Sequence, residues 1–129
     1  MSKKGTFTGT WKNRIQEIKC RLAVIVFEDD GNHIFYCPAL DLSGYGKSES
    51  DAYKSFHEVL SEYFRYTSNK GTLAEDLKKL GWTLKKSIKN RAIPPALSYL
   101  LETNEDFSRI FNEFDFKKTE TEVNLPAIA

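Results

Sequence analysis

Between Ile15 and Glu28 the chain alternates, with Ile18, Cys20, Leu22, Val24 and Val26 set against Lys19, Arg21, Ala23, Ile25 and Phe27, and it turns wholly apolar toward its end. Successive side chains on a strand point to opposite faces of a sheet. This pattern therefore predicts a long strand whose second half lies in the sheet centre. Asp29, Asp30, Gly31 and Asn32 follow, and Asp30-Gly31 suits the positive φ values of a tight hairpin turn. His33 to Cys37 is then the returning strand. Pro38 ends it by removing a ladder donor, and Leu40, Leu42 and Tyr45 carry a third extended segment broken by Gly44 and Gly46.

Ser48 is a good helix N-cap with Asp51 three positions later, and Ala52, Phe56, Val59, Leu60, Tyr63 and Phe64 recur behind it at helical spacing. The spacing predicts a helix from Glu49 to about Tyr66 on one sheet face. Thr72 with Glu75 opens a short helix, Leu73 to Leu80, closed by Gly81. Trp82 to Leu84 reads as a brief fourth strand. Lys85, Lys86, Lys89 and Arg91 then form an acid-free basic run before Pro94-Pro95. Pro95 suits a first helical turn ahead of Leu97, Leu100 and Leu101, and Asn104 suits the cap of a second helix bearing Phe107, Ile110, Phe111 and Phe114. Phe116 to Pro126 has β propensity and reads as a final edge strand.

With 129 residues, 40% of them hydrophobic and 13% aromatic, the chain suffices for one compact domain plus an appendage. The division expected is a leader over 1–14, an α+β domain over 15–84, and a segment over 85–129. The formal charge of +1 gives no molecule-wide field toward nucleic acid or anionic membrane. No apolar run approaches the roughly 20 residues of a membrane span, and no export signal opens the chain, so a cytoplasmic location without membrane contact is expected. In that setting Cys20 and Cys37 are expected as buried thiols rather than a disulfide.

Cys37-Pro38-Ala39-Leu40, then Gly44, Gly46, Ser48 and Glu49-Ser50-Asp51-Ala52, resemble the signature of the HicB family of antitoxins over roughly residues 18–84. The resemblance implies a two-layer β-β-β-α-β domain, here extended by the C-terminal helical pair and final edge strand. It also implies a non-enzymatic module that neutralises a small HicA-like ribonuclease toxin. HicB proteins often repress their own operon through a C-terminal DNA-binding element, and residues 90–129 do not match such an element.

No catalytic residues, metal site or cofactor are expected. His33, His57, the cysteines and the Glu28 to Asp30 cluster lack ligand spacing, and no nucleophile, base and orienting acid stand together. The expected partner surface is Leu40, Leu42, Tyr45, Tyr53 and Tyr66. The aromatic set Tyr53, Phe56, Tyr63, Phe64 and Tyr66 exceeds what one helix face can bury, which predicts a homodimer. The alternative function is a nucleic-acid-binding domain using Trp82 as a stacking surface with Lys85, Lys86, Lys89 and Arg91.

The apolar residues after Pro95 are too many for a solvated tail, since each is worth roughly 1.5 to 3 kcal/mol when buried. They are expected on the sheet's other face or on a neighbouring subunit, with the final strand added within the domain or across a dimer. Deleting residues 94–129 is predicted to give an insoluble or altered oligomer on size-exclusion chromatography. A soluble truncation of unchanged oligomeric state would make the segment a separate appendage.

Overall fold

The computed structural model describes residues 18–85 and 91–126. The expected leader over 1–14, and Lys86 and Lys89 of the basic run, lie outside these. Strands β1 (Ile18–Asp29), β2 (Asn32–Cys37) and β3 (Leu42–Gly46) form an antiparallel meander. The β1–β2 turn has φ of 52° at Asp30 and 81° at Gly31, the twist that a two-residue hairpin loop requires.

Ser48 caps α1 (Glu49–Lys70): its Oγ accepts from the Asp51 N–H at 3.1 Å. The helix runs a turn beyond Tyr66, to a left-handed Gly71. Gly44 and Gly46 permit its close approach. A Cβ at Gly44 would overlap the Phe56 backbone, and one at Gly46 the Ala52 backbone. α2 (Leu73–Lys79) follows, with Gly81 at φ 100° behind it. Thr72 makes no side-chain cap, contrary to the expectation from its pairing with Glu75; its ψ of 1° departs from the extended geometry usual for a capping residue.

The segment after Trp82 departs further from the expected order. β4 (Thr83–Lys85) does not join the main sheet but pairs with β5 (Arg91–Ile93) in a separate two-stranded ribbon. The fourth strand of the main sheet is β6 (Phe116–Leu125), antiparallel to β1, giving the order β3-β2-β1-β6. Pro95 stands before the N-cap Ala96 of α3 (Leu97–Thr103) rather than inside its first turn. Asn104 caps α4 (Glu105–Glu113), accepting from the Phe107 N–H at 3.0 Å.

The architecture is mixed α+β, with α1 on one sheet face and the residues after Pro95 on the other, the first of the two placements expected for them. Phe35 meets Tyr53 and Phe56 of α1, with ring centroids 5.7 and 6.3 Å apart. On the opposite face Tyr36 meets Phe107 at 6.4 Å, and Phe27 meets Phe114 at 5.0 Å. Val24 to Phe27 of β1 are buried on both faces, whereas Lys19 and Arg21 are exposed. Polar contacts tie the far layer down: Asn104 Nδ2 donates to Tyr36 Oη at 2.9 Å, and Tyr36 Oη donates to Asp41 at 2.7 Å. Among the described residues no helix is long and apolar enough to cross a membrane.

Ser48→Ala is expected to lower unfolding free energy by about 1 kcal/mol. Gly44→Ala is expected to cost about 1 to 3 kcal/mol, because the added methyl meets backbone that cannot rotate away. Ala52→Asp, at a site 0% exposed, should cost most of the three. Chemical denaturation checks this order.

Candidate protein-binding groove

The residues expected to form one partner surface are not brought together. Leu40 is a core residue, 2% exposed, so it cannot contact a partner. It is buried because the turn after Pro38 folds under, with its N–H bonded to the Cys37 carbonyl. Leu42 is half-buried against the core. Tyr45 is exposed but faces the α4 side, since its register partner is Ile34. Tyr53 and Tyr66 are both exposed on α1. They lie about 20 Å apart along the axis and about 140° apart around it. Tyr66 stays exposed, with the Nζ of its neighbour Lys70 5.6 Å from the ring centroid.

Trp82 is 4% exposed, and its indole N–H donates to the Ala39 carbonyl at 2.8 Å. It is a core residue that pins α2 and the ribbon to the β2–β3 turn, so no base can stack on it. Lys85 is exposed at the ribbon end, opposite Arg91 in register.

What the fold does assemble is a groove of about 390 Å³ between α1 and β6. α1 packs over β2 and β3, leaving the margin of this face beside β6 less covered. The floor is Val24, Val26 and Phe35. Tyr53 and His57 form one wall, and the other is the Lys117 to Thr121 stretch of β6. The strand period places Lys117, Thr119 and Thr121 on this face, opposite Val26, Val24 and Leu22. Lys117 Nζ crosses the end of the groove to Glu49 at 2.9 Å. Tyr53 is 50% exposed and its ring lies 4.4 Å from that of His57. His57 Nε2 is buried and has no hydrogen-bond partner. A buried nitrogen of this kind costs free energy until a donor or acceptor reaches it.

The sequence marks His57 only as lacking ligand spacing and does not single out Thr119 or Thr121. The Tyr53–His57 spacing of one helical turn and the period of two in Lys117, Thr119 and Thr121 are the signals that could have found them. A wider depression of about 620 Å³ lies at the hairpin end, edged by Glu28, Glu49, Glu113 and Asp115. Among the described residues no three His, Cys, Asp or Glu side chains stand close enough to hold a metal ion.

Comparison of the chain with protein-family models, with curated proteins and with solved structures finds no match in any of the three.

Cys20 and Cys37 are free thiols on the α1 face; Cys20 is paired in register with Val123 rather than set opposite Cys37. Burial pushes Cys20 from 9.0 up to about 11 and Cys37 from 9.0 up to about 12. Folding thus favours the protonated thiols, and the stability they contribute is complete below pH 9.0 and lost as pH rises through the folded values. The denaturation midpoint is expected to fall above pH 9.0, with a smaller fall in Cys37→Ala. Labelling of Cys37 in the native protein at neutral pH is expected to be slow, requiring unfolding; rapid labelling would contradict its burial.

Proposed function

We propose that the protein is a non-enzymatic binding module of the HicB-like antitoxin kind, which takes a segment of a small HicA-like ribonuclease in the groove between α1 and β6. The observation that carries this reading is the groove itself, where half-exposed Tyr53 stands over the buried and unpartnered His57 Nε2. Tyrosine supplies large contact area at low entropic cost, and it is enriched among residues that dominate protein interfaces. A partner side chain able to hydrogen-bond His57 and to lie along Tyr53 would relieve the one and desolvate the other.

The rim chemistry favours a polypeptide over a nucleic acid. Lys117 is paired with Glu49 at the groove's end, so the groove has no single-sign field to hold a phosphate backbone. The nucleic-acid alternative keeps exposed Lys85 but has lost Trp82 as its stacking surface. In this reading the HicB-like β-β-β-α order extends over β1, β2, β3 and α1, with β6 completing the sheet.

The expected genomic context is a neighbouring reading frame for a short chain of double-stranded-RNA-binding-like pattern. Isothermal titration with that ribonuclease should show binding nearly insensitive to salt. Tyr53→Ala should weaken it by about 30-fold, the size of an interface hot spot of roughly 2 kcal/mol. Random RNA and DNA at two salt concentrations should give no fluorescence polarisation change. Salt-steep binding to the nucleic acids, with the ribonuclease unbound, would overturn the proposal.

A further inference from the structure

The two edges of the sheet are not equivalent, and the hairpin register says why. Asp29 and Asn32 close the two-residue turn, so they form the pair that exchanges both backbone hydrogen bonds. Alternation then directs the backbone groups of Phe27 and Ile25 toward β2, and those of Val26 and Val24 toward β6. By the unbroken β1–β6 register, Lys117, Thr119 and Thr121 bond to β1. The backbone groups of Phe116, Lys118, Glu120, Glu122 and Asn124 point away from the sheet. Carried to the other edge, the same alternation leaves Ser43 and Tyr45 pointing outward. There the Tyr45 N–H donates to the Ser55 hydroxyl of α1 at 3.2 Å. The β3 edge is short and partly capped, whereas the β6 edge is ten residues long and meets no strand among the described residues.

We infer that β6 pairs with β6 of a second copy of this chain, antiparallel about a two-fold axis, to extend the sheet across a dimer. The strand is self-complementary in charge: Lys117 and Lys118 lie toward its start, Glu120 and Glu122 toward its end. Outward-bonding residues must pair with outward-bonding residues, which restricts the register. Setting Lys118 against its own copy, Glu120 against its own copy, or Glu120 against the partner's Glu122 opposes like charges. Setting Lys118 against the partner's Glu120 satisfies both symmetric pairs at once and places Thr119 against its own copy on the axis. On the α4 face Arg21 already lies 3.7 Å from Glu120. Charges of alternating sign then run from Arg21 through Glu120 to the partner's Lys118. These exposed pairs fix the register, while main-chain hydrogen bonds supply the attraction. The groove of each copy lies on the α1 face beside the joined strands and remains open.

Sedimentation equilibrium of the full chain should show a particle of about twice 14.8 kDa. Lys118→Glu and Glu120→Lys are exposed on the strand and should each keep the circular dichroism of the fold. Each should raise the dimer dissociation constant by about tenfold or more, because each opposes like charges across the axis. Mixing the two variants should restore a heterodimer, since Glu at 118 of one chain then meets Lys at 120 of the other. A wild-type chain that sediments as a monomer overturns the inference, as do single variants that stay dimeric or a mixture that stays monomeric. Lys117 and Lys118 would then be guards against edge pairing. A monomer that still binds the ribonuclease removes the second copy and leaves the groove reading in place.

Discussion

Four consecutive residues of β1, Val24 to Phe27, are buried on both faces of the sheet, and the remaining architecture answers that demand. Val24 and Val26 lie toward α1; Ile25 and Phe27 lie toward α4. Leaving either pair in water would forfeit several kcal/mol, a large fraction of the 5 to 15 kcal/mol that typically separates folded from unfolded domains. One helix layer therefore cannot complete this chain. The second comes from the residues after Pro95, and their attachment is polar as well as apolar. Asn104 caps α4 and donates to Tyr36 Oη, which in turn donates to Asp41. That short chain of hydrogen bonds sets where α4 begins relative to the sheet.

β6 is the consequence with the most bearing on function. It returns from α4 along the free side of β1, burying Val123 and Leu125 near its end while Lys117 to Glu120 stay exposed. Its α1-facing side chains make one wall of the groove, and its outward backbone makes the open edge. Both proposed association surfaces thus depend on one strand, yet they use different groups of it. Side chains of odd-numbered residues serve the groove, and backbone groups of even-numbered residues serve the edge. The β3 margin carries no equivalent surface, because α1 comes close over Gly44 and Gly46 and Ser55 takes up the Tyr45 N–H.

The parts of this fold legible in the sequence are those fixed by neighbours in the chain. Asp30-Gly31 announces the hairpin, Ser48 with the Ala52, Phe56 and Leu60 spacing announces α1, and Asn104 announces α4. The β propensity of Phe116 to Leu125 announced a strand, though not that β1 is its partner. Trp82 to Leu84 was misassigned to the main sheet because what places it is remote. The indole N–H bonds to Ala39, 43 residues back, and β5 begins only at Arg91, the far end of the basic run. The candidate site was less legible than the fold. Tyr53 was singled out, but Leu40 and Tyr66 were grouped with it on residue type alone, and neither shares its surface. His57 and Thr119 stand on opposite walls of one groove only through the β1–β6 register, which short-range patterns do not encode.

The doubly covered β1 makes α4 and β6 integral to a single cooperative unit rather than a docked appendage. Native-state hydrogen exchange measures this directly. The amides of Val24 to Phe27 and those of Phe107 and Ile110 in α4 should exchange with the same opening free energy, equal to that of global unfolding. Exchange of α4 and β6 through a lower-energy opening, with β1, β2, β3 and α1 still protected, would contradict it.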